Sequence, residues 1–384
     1  MKIQRRPRVL AALLLAALLP ACSQDFFDLE MHLGREDKTR PIAIAVEPPE
    51  AAPGDSVRVT LRYYTPFPDD CTLSWRLALD YNAGEFAPDY VERVLLPLDP
   101  APPTALGNGL FAQEFWLALP DSALLVSSAI DDPVSDPATV ALIRQLLPLG
   151  PDELPDKALV ESLLATVTPE DLATQDPATQ ATVLAIADRF ACRVLLRASI
   201  HCELDVDVTR TVTVRHSARL GSENANTNPQ ADAYEVLAIA HPDVSWADHA
   251  SYAGVTQHYP LAADGPVTEI PRHADWTYYA VLPPIRESYS SALDGSPQRE
   301  ATSFRWYYLN LDSPSDDYAL LRNDAGDETE MWALDESARL LPRAGESVDY
   351  RLITCLRDGR PDWEFYQFAP GLTVFEGTLR FVDP

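Results

Sequence analysis

The chain has 384 residues and a formal net charge of −28, from 58 Asp and Glu against 30 Lys and Arg. So acidic a surface repels phosphate backbones and carries no basic stripe to offset this, which excludes nucleic acid as a partner. With 46% hydrophobic residues the chain can fill ordinary cores, and its length suits two or more domains of ~100–200 residues each.

Met1–Arg8 is a short basic segment, and Val9–Leu19 contains only Val, Leu and Ala. A basic start, a short apolar run and a small residue before a cleavage point make a secretory signal over residues 1–21. The run is shorter than the roughly 20 residues that span a bilayer. Leu19-Pro20-Ala21-Cys22 resembles the lipobox of bacterial lipoproteins, with Pro20 a less usual choice at the tolerant second position. The resemblance implies cleavage after Ala21 and acylation of Cys22, whose thiol is the nucleophile that takes the diacylglycerol. Several acyl chains on one residue anchor firmly where a single chain binds marginally. Ser23 stands where an Asp often retains such proteins at the inner membrane, so the resemblance implies the outer membrane.

Residues 22–40 are polar and aperiodic and read as a tether. Pro41–Val46 and Ser56–Tyr63 alternate around the turn Glu47–Asp55, the pattern of two strands. This opening resembles the first two strands of bacterial immunoglobulin-like modules. Cys71–Trp75, Tyr90–Leu96 and Leu110–Leu119 read as further strands, the last after the hairpin signal Gly107-Asn108-Gly109. Asp136-Pro137-Ala138-Thr139 and Asp176-Pro177-Ala178-Thr179 each open an apolar run, because Asp caps free N–H groups and Pro fits the first helical position. Pro155–Val167 has helical spacing, and Thr168-Pro169-Glu170-Asp171 is another helix start. Residues 136–191 therefore hold three or four short helices, as an insertion in a sandwich or as a separate subdomain. Strands resume after Cys192 and include Val206–Ser217. Polar Gly221–Gln230 is the best domain boundary. Tyr234–Ala240, Trp276–Leu282, Phe304–Leu311, Val348–Leu356, Trp363–Phe368 and Leu372–Val382 follow as strands. The expected fold is mainly β with a helical insertion: two Ig-like β-sandwich domains, 41–220 with the insertion at about 136–191, and 231–384.

With Cys22 assigned to lipid, Cys71, Cys192, Cys202 and Cys355 remain, an even number suited to disulfides in an oxidising envelope. Three connectivities are open. The local pair Cys192–Cys202 costs least loop-closure entropy and leaves Cys71 and Cys355 as a long-range staple or as two thiols. No Cys-x-x-Cys spacing supports a metal.

Catalytic motifs are missing: no Gly-x-Ser-x-Gly elbow, no His-Glu-x-x-His, no Walker loop. His241, His249, His258 and His273, with Asp243 and Asp248 interleaved, are residue types that hold zinc or act as acid and base. Their spacing matches no motif, and loops collect polar residues anyway. Asp312, Asp316 and Asp317, and then Asp324 and Asp327, offer the oxygen ligands that calcium prefers. Neither acidic loop has the EF-hand order, and Asp-rich turns look the same. Aromatic clusters at Trp276–Tyr279, Phe304–Tyr308 and Trp363–Tyr366 put neighbouring rings on opposite strand faces. The outward rings either pack across strands or meet a sugar or protein partner. The expected role is a lipid-anchored, non-catalytic envelope protein that binds or holds a protein or glycan. The alternative is an envelope hydrolase or metal-binding protein built on the His241–His273 region.

Overall fold

The computed structural model describes residues 39–78, 95–127, 130–202, 205–222, 224–230, 234–240, 255–263, 265–271, 277–281, 288–290, 296–299, 301–311, 320–325, 347–359 and 371–382. Among the described residues, the N-terminal part holds β1 (Arg40–Glu47), β2 (Glu50–Ala51), β3 (Ser56–Tyr64), β4 (Thr72–Ala78), β5 (Leu95–Leu98), β6 (Thr104–Gly107), β7 (Leu110–Ala118), β8 (Ala191–His201) and β9 (Asp205–Arg215). Between β7 and β8 lie α1 (Ala123–Val126), α2 (Pro137–Leu146), α3 (Lys157–Thr166), α4 (Pro169–Ala173) and α5 (Pro177–Arg189), and α6 (Ser217–Leu220) follows β9. The C-terminal part holds β10 (Tyr234–Ala240), β11 (Val255–Leu261), β12 (Thr268–Pro271), β13 (Thr277–Val281), β14 (Ser288–Ser290), β15 (Pro297–Arg299), β16 (Ala301–Asn310), β17 (Leu320–Ala325), β18 (Val348–Gly359) and β19 (Leu372–Val382). The fold is mainly β with a helical insertion.

Among the described residues, four sheets carry the structure. The first runs β1-β3-β7-β6 and the second β2-β9-β8-β4-β5. The third runs β12-β19-β18-β16-β17 and the fourth β11-β10-β13; β14 and β15 pair with each other. β2 lies parallel to β9, and β12 lies parallel to β19.

Alternation builds the first core. Val57, Val59, Leu61 and Tyr63 from β3 meet Trp75 and Leu77 from β4 and Val194, Leu196 and Ala198 from β8. Trp75 gives its indole N–H to Gln113 at 2.6 Å and sets its ring edge-on to Phe115 at 5.0 Å. The insertion shares this core: Val140, Ile143, Val160, Leu164, Val183 and Ile186 belong to the same cluster. Its helices therefore cannot bury their apolar stripes without the sheets.

The repeated Asp-Pro-Ala-Thr tetrapeptide does start α2 and α5. Asp136 accepts from the Thr139 N–H at 2.7 Å and from its hydroxyl, and Asp176 accepts from Ala178 N–H, Thr179 N–H and the Thr179 hydroxyl. The threonine thus adds a further cap contact to those expected from Asp and Pro. Thr168 caps α4 from its side chain to Asp171 N–H.

The first sheet is covered on its other face too. Ile42, Ala43, Tyr64 and Leu110 pack against Tyr307, Leu309, Ile353, Cys355 and Leu372 of the third sheet. The Tyr307 hydroxyl donates to the Ile42 carbonyl at 3.3 Å, and Asn228 donates to Val46 O while accepting from Leu372 N–H. The third sheet turns its opposite face to the fourth: Phe375 stacks on Tyr234 with ring centroids 3.8 Å apart. A Cβ on Gly377 would meet the Phe375 ring at 3.1 Å and Leu261 at 3.6 Å, so β19 and β11 approach closely there. The sheets are layered second, first, third, fourth.

Most strands expected from alternation are found. Residues 90–94, the start of the strand expected over Tyr90–Leu96, and Trp363–Phe368 fall outside the described residues. β6, β11, β12 and β17 go beyond that expectation; they are short or polar and are held by their neighbours rather than by a pattern of their own. Residues 224–230 are held to both halves: besides the Asn228 bonds, Thr373 donates to Pro229 O at 2.6 Å, and Asn224 O accepts from Arg215.

Arg215 is fully buried and gives Nε and Nη2 to Glu50 Oε2 at 2.8 and 2.5 Å, with Asp188 at 3.6 Å. Arg215→Met is expected to lower unfolding free energy by about 3–5 kcal/mol in urea titrations, because it strands the Glu50 carboxylate; adding Glu50→Leu should recover part of the loss. A second prediction concerns the caps. Burial pushes the Asp136 carboxyl up, but its bonds to Thr139 and the Arg189 charge outweigh this and hold it below the ordinary value. The Thr179 hydroxyl and N–H hold Asp176 low. A lowered folded-state value stabilises above the ordinary carboxylate range and is lost as pH falls through the lowered value. The Asp136→Asn/Asp176→Asn variant, whose caps do not titrate, should gain stability relative to wild type between about pH 5 and pH 2. A constant difference over that range would show that the charged form does not matter.

Candidate functional site

The residues singled out in the sequence are only partly within the described structure. Cys22 lies outside it, as do His241, His249, His273, Asp243, Asp248, Asp312, Asp316, Asp317 and Asp327. Asp324 lies on β17 in register with Arg305 of β16. His258, on β11, is exposed and pairs through Nδ1 with Glu235 Oε2 at 2.8 Å. Among the described residues no group of three or more His, Cys, Asp or Glu is placed to hold a metal ion.

The cysteines are placed differently from the pairing of lowest entropy. Cys71 and Cys202 form the disulfide, at a sequence separation of 131 and with their Cα atoms 4.4 Å apart. Cys192 packs in the first core and Cys355 between the first and third sheets, so these two buried thiols lie in separate clusters. Strand pairing explains the outcome: β4 and β8 are neighbours with Thr72 opposite His201, which brings the residues just beyond those ends together. Cys192, at the other end of β8, faces inward. Thr39 donates its hydroxyl to Cys202 Sγ at 3.1 Å, so the bridge sits where residues 22–38 join the fold.

Close to the bridge, three polar side chains line up on the outer face of the second sheet. His201 Nδ1 lies 3.1 Å from Asp205 Oδ1, and its Nε2 lies 3.1 Å from Ser74 Oγ. The atom order is that of a nucleophile, a base and an orienting carboxylate. His201 and Asp205 are 45% and 74% exposed, so water screens the carboxylate that would orient the ring. β8 is paired on both sides, by β4 and by β9, so its own backbone N–H groups are committed to the sheet. The arrangement is a surface hydrogen-bond relay. Sequence reasoning missed it, because Ser74 and His201 are 127 positions apart.

A recess lies where the first and third sheets meet, beyond the edge of their shared core and beside the residues that follow β11. A cavity of about 480 Å³ is lined by Arg62, Leu106, Arg351, Val374, Glu376 and Thr378, among others. Arg62, on β3, gives Nε to Glu376 Oε1 at 2.6 Å, and both side chains are largely buried. Arg351, on β18, gives Nη1 to the Leu106 carbonyl at 3.3 Å. Thr378 lies opposite Arg351 in the β18–β19 pairing, and Glu376 opposite Ile353. Tyr234, on the far side of β19, is no acid or base at ordinary pH: burial, with the Cys355 thiol adding to it, pushes its phenol up to about 12. Comparison of the chain with models of known protein families and with curated proteins returned no match.

Non-reducing peptide mapping should return a linked Cys71–Cys202 peptide, with Cys192 and Cys355 alkylated only after denaturation. A Cys192–Cys202 peptide would contradict this arrangement. Cys71→Ser/Cys202→Ser should cost about 2–5 kcal/mol of stability, by freeing a long loop in the unfolded chain.

Proposed function

We propose that the chain is a lipid-anchored protein of the bacterial cell envelope, held at the outer membrane through Cys22, whose role is to bind or hold a protein or glycan rather than to transform a substrate. The observation that carries this reading is the Cys71–Cys202 disulfide at the point where the tether meets the fold. Disulfides persist in oxidising compartments such as the periplasm and cell surface, which agrees with a secretory signal ending in Leu-Pro-Ala-Cys. The layered sheets support a holding role, because a polar recess lies where two packed layers meet.

The test is Cys22→Ala. In cells fed a labelled palmitate, wild type should incorporate label and fractionate with membranes, and the variant should do neither. A variant that still partitions with membranes would refute the anchor.

A further inference from the structure

We propose that the cavity between the first and third sheets binds a small hydroxylated carboxylate of the uronic-acid type, with Arg351 holding the carboxylate and Glu376 and Thr378 holding hydroxyls. This names a ligand class for the binding role above and rests on that reading.

The charge of the lining argues for it first. The chain carries 58 acidic and 30 basic residues, yet among the described residues the charged side chains lining this cavity are Arg62, Arg351 and Glu376. At physiological salt the acidic exterior is screened beyond ~8 Å, whereas guanidiniums in a recess are screened much less. A carboxylate is therefore drawn to this spot despite the overall charge.

The hydrogen bonds already made define what is left to offer. Arg351 spends Nη1 on Leu106 O. A guanidinium has five N–H groups in a planar fork, so Arg351 keeps donors for a bidentate carboxylate. Arg62 commits Nε to Glu376 Oε1. That contact fixes the Glu376 carboxylate as an acceptor with lone pairs to spare, and hydroxyl donors suit it. A second negative charge does not. A dicarboxylate or phosphate reaching across the cavity would set like charges together, which the ring hydroxyls of a uronic acid avoid. Leu106 and Val374 supply an apolar wall for the C–H face of such a ring. The volume of about 480 Å³ falls within the range of small-molecule sites, which favour clefts between packed units.

The test is calorimetric titration of the full chain in detergent micelles with sodium glucuronate, glucose and succinate. Saturable glucuronate binding is expected, with glucose and succinate each weaker by at least about tenfold. Arg351→Met should weaken glucuronate by at least about tenfold, and Glu376→Gln should narrow its lead over succinate. No saturation by ~50 mM glucuronate, equal binding of succinate, or full affinity in Arg351→Met overturns the proposal. Should circular dichroism show Arg351→Met unfolded, Arg351→Lys keeps the charge but lacks the fork; undiminished affinity there overturns the proposal equally. The titration does not depend on lipidation, so its failure removes this ligand class, whereas membrane partitioning of Cys22→Ala decides the anchored reading.

Discussion

One buried ion pair, Arg215 with Glu50, sets how the N-terminal half is joined. Taking each charge out of water costs several kcal/mol, so the pair is tolerable only with good geometry and further hydrogen bonds. Arg215 has them: Glu50, Asp188, and the carbonyls of Asp188 and Asn224 all converge on it. These groups come from β2, the C-terminal end of α5 and the segment after α6. β2 is where the chain leaves the first sheet for the second, so the guanidinium fixes that crossing, the last turn of the longest inserted helix and the exit toward the C-terminal half together. The next residue continues the clasp. His216 Nε2 lies 2.9 Å from Glu161 Oε1 on α3, and Arg219 reaches the Ala165 carbonyl at the end of the same helix. The insertion is thus pinned by charge at its margin and by apolar contact at its centre.

Local chemistry was legible in the sequence, and distant pairing was not. Val57, Val59 and Leu61 alternate with Arg58, Thr60 and Arg62, and that alone gives β3 and its inward face. The two Asp-Pro-Ala-Thr starts gave α2 and α5 because a cap is made within four residues. Pro41–Val46 reads as a half-buried strand, yet its side chains are buried toward both neighbouring sheets. Its near-continuous apolar run already carried that information, since strands covered on both sides lose their polar alternate. The disulfide and the Arg215–Glu50 pair join residues 131 and 165 positions apart, and no local pattern announces either.

The same limit hid the cavity. Arg62 occupies a polar alternate position that suggests a solvent-facing side chain, and its partner Glu376 is 314 positions away. Tyr307 shows the converse. A cluster of adjacent aromatics raised the prospect of a ring left for a foreign partner, but Tyr307 is buried against β1 of the same chain. Composition identified groups able to bind something; only the layering of sheets decided whether each faces outward or packs against its own chain.

The attachment of the first strand has a mechanical consequence. Were the chain held through Cys22 as proposed, a pull on it would enter the described fold at Thr39, beside the Cys71–Cys202 bridge, and run along β1. β1 is hydrogen-bonded to β3 along its length and sends side chains into both the first core and the interface with the third sheet. Pulling along its axis shears these bonds and contacts in concert, whereas force applied across a hairpin end peels pairs one after another. Forced unfolding is governed by the barrier to the first rupture, and that barrier rises with the number of contacts that must break together. A pull entering at Thr39 therefore loads the pairing of β1 with β3 and both of its packed faces at once.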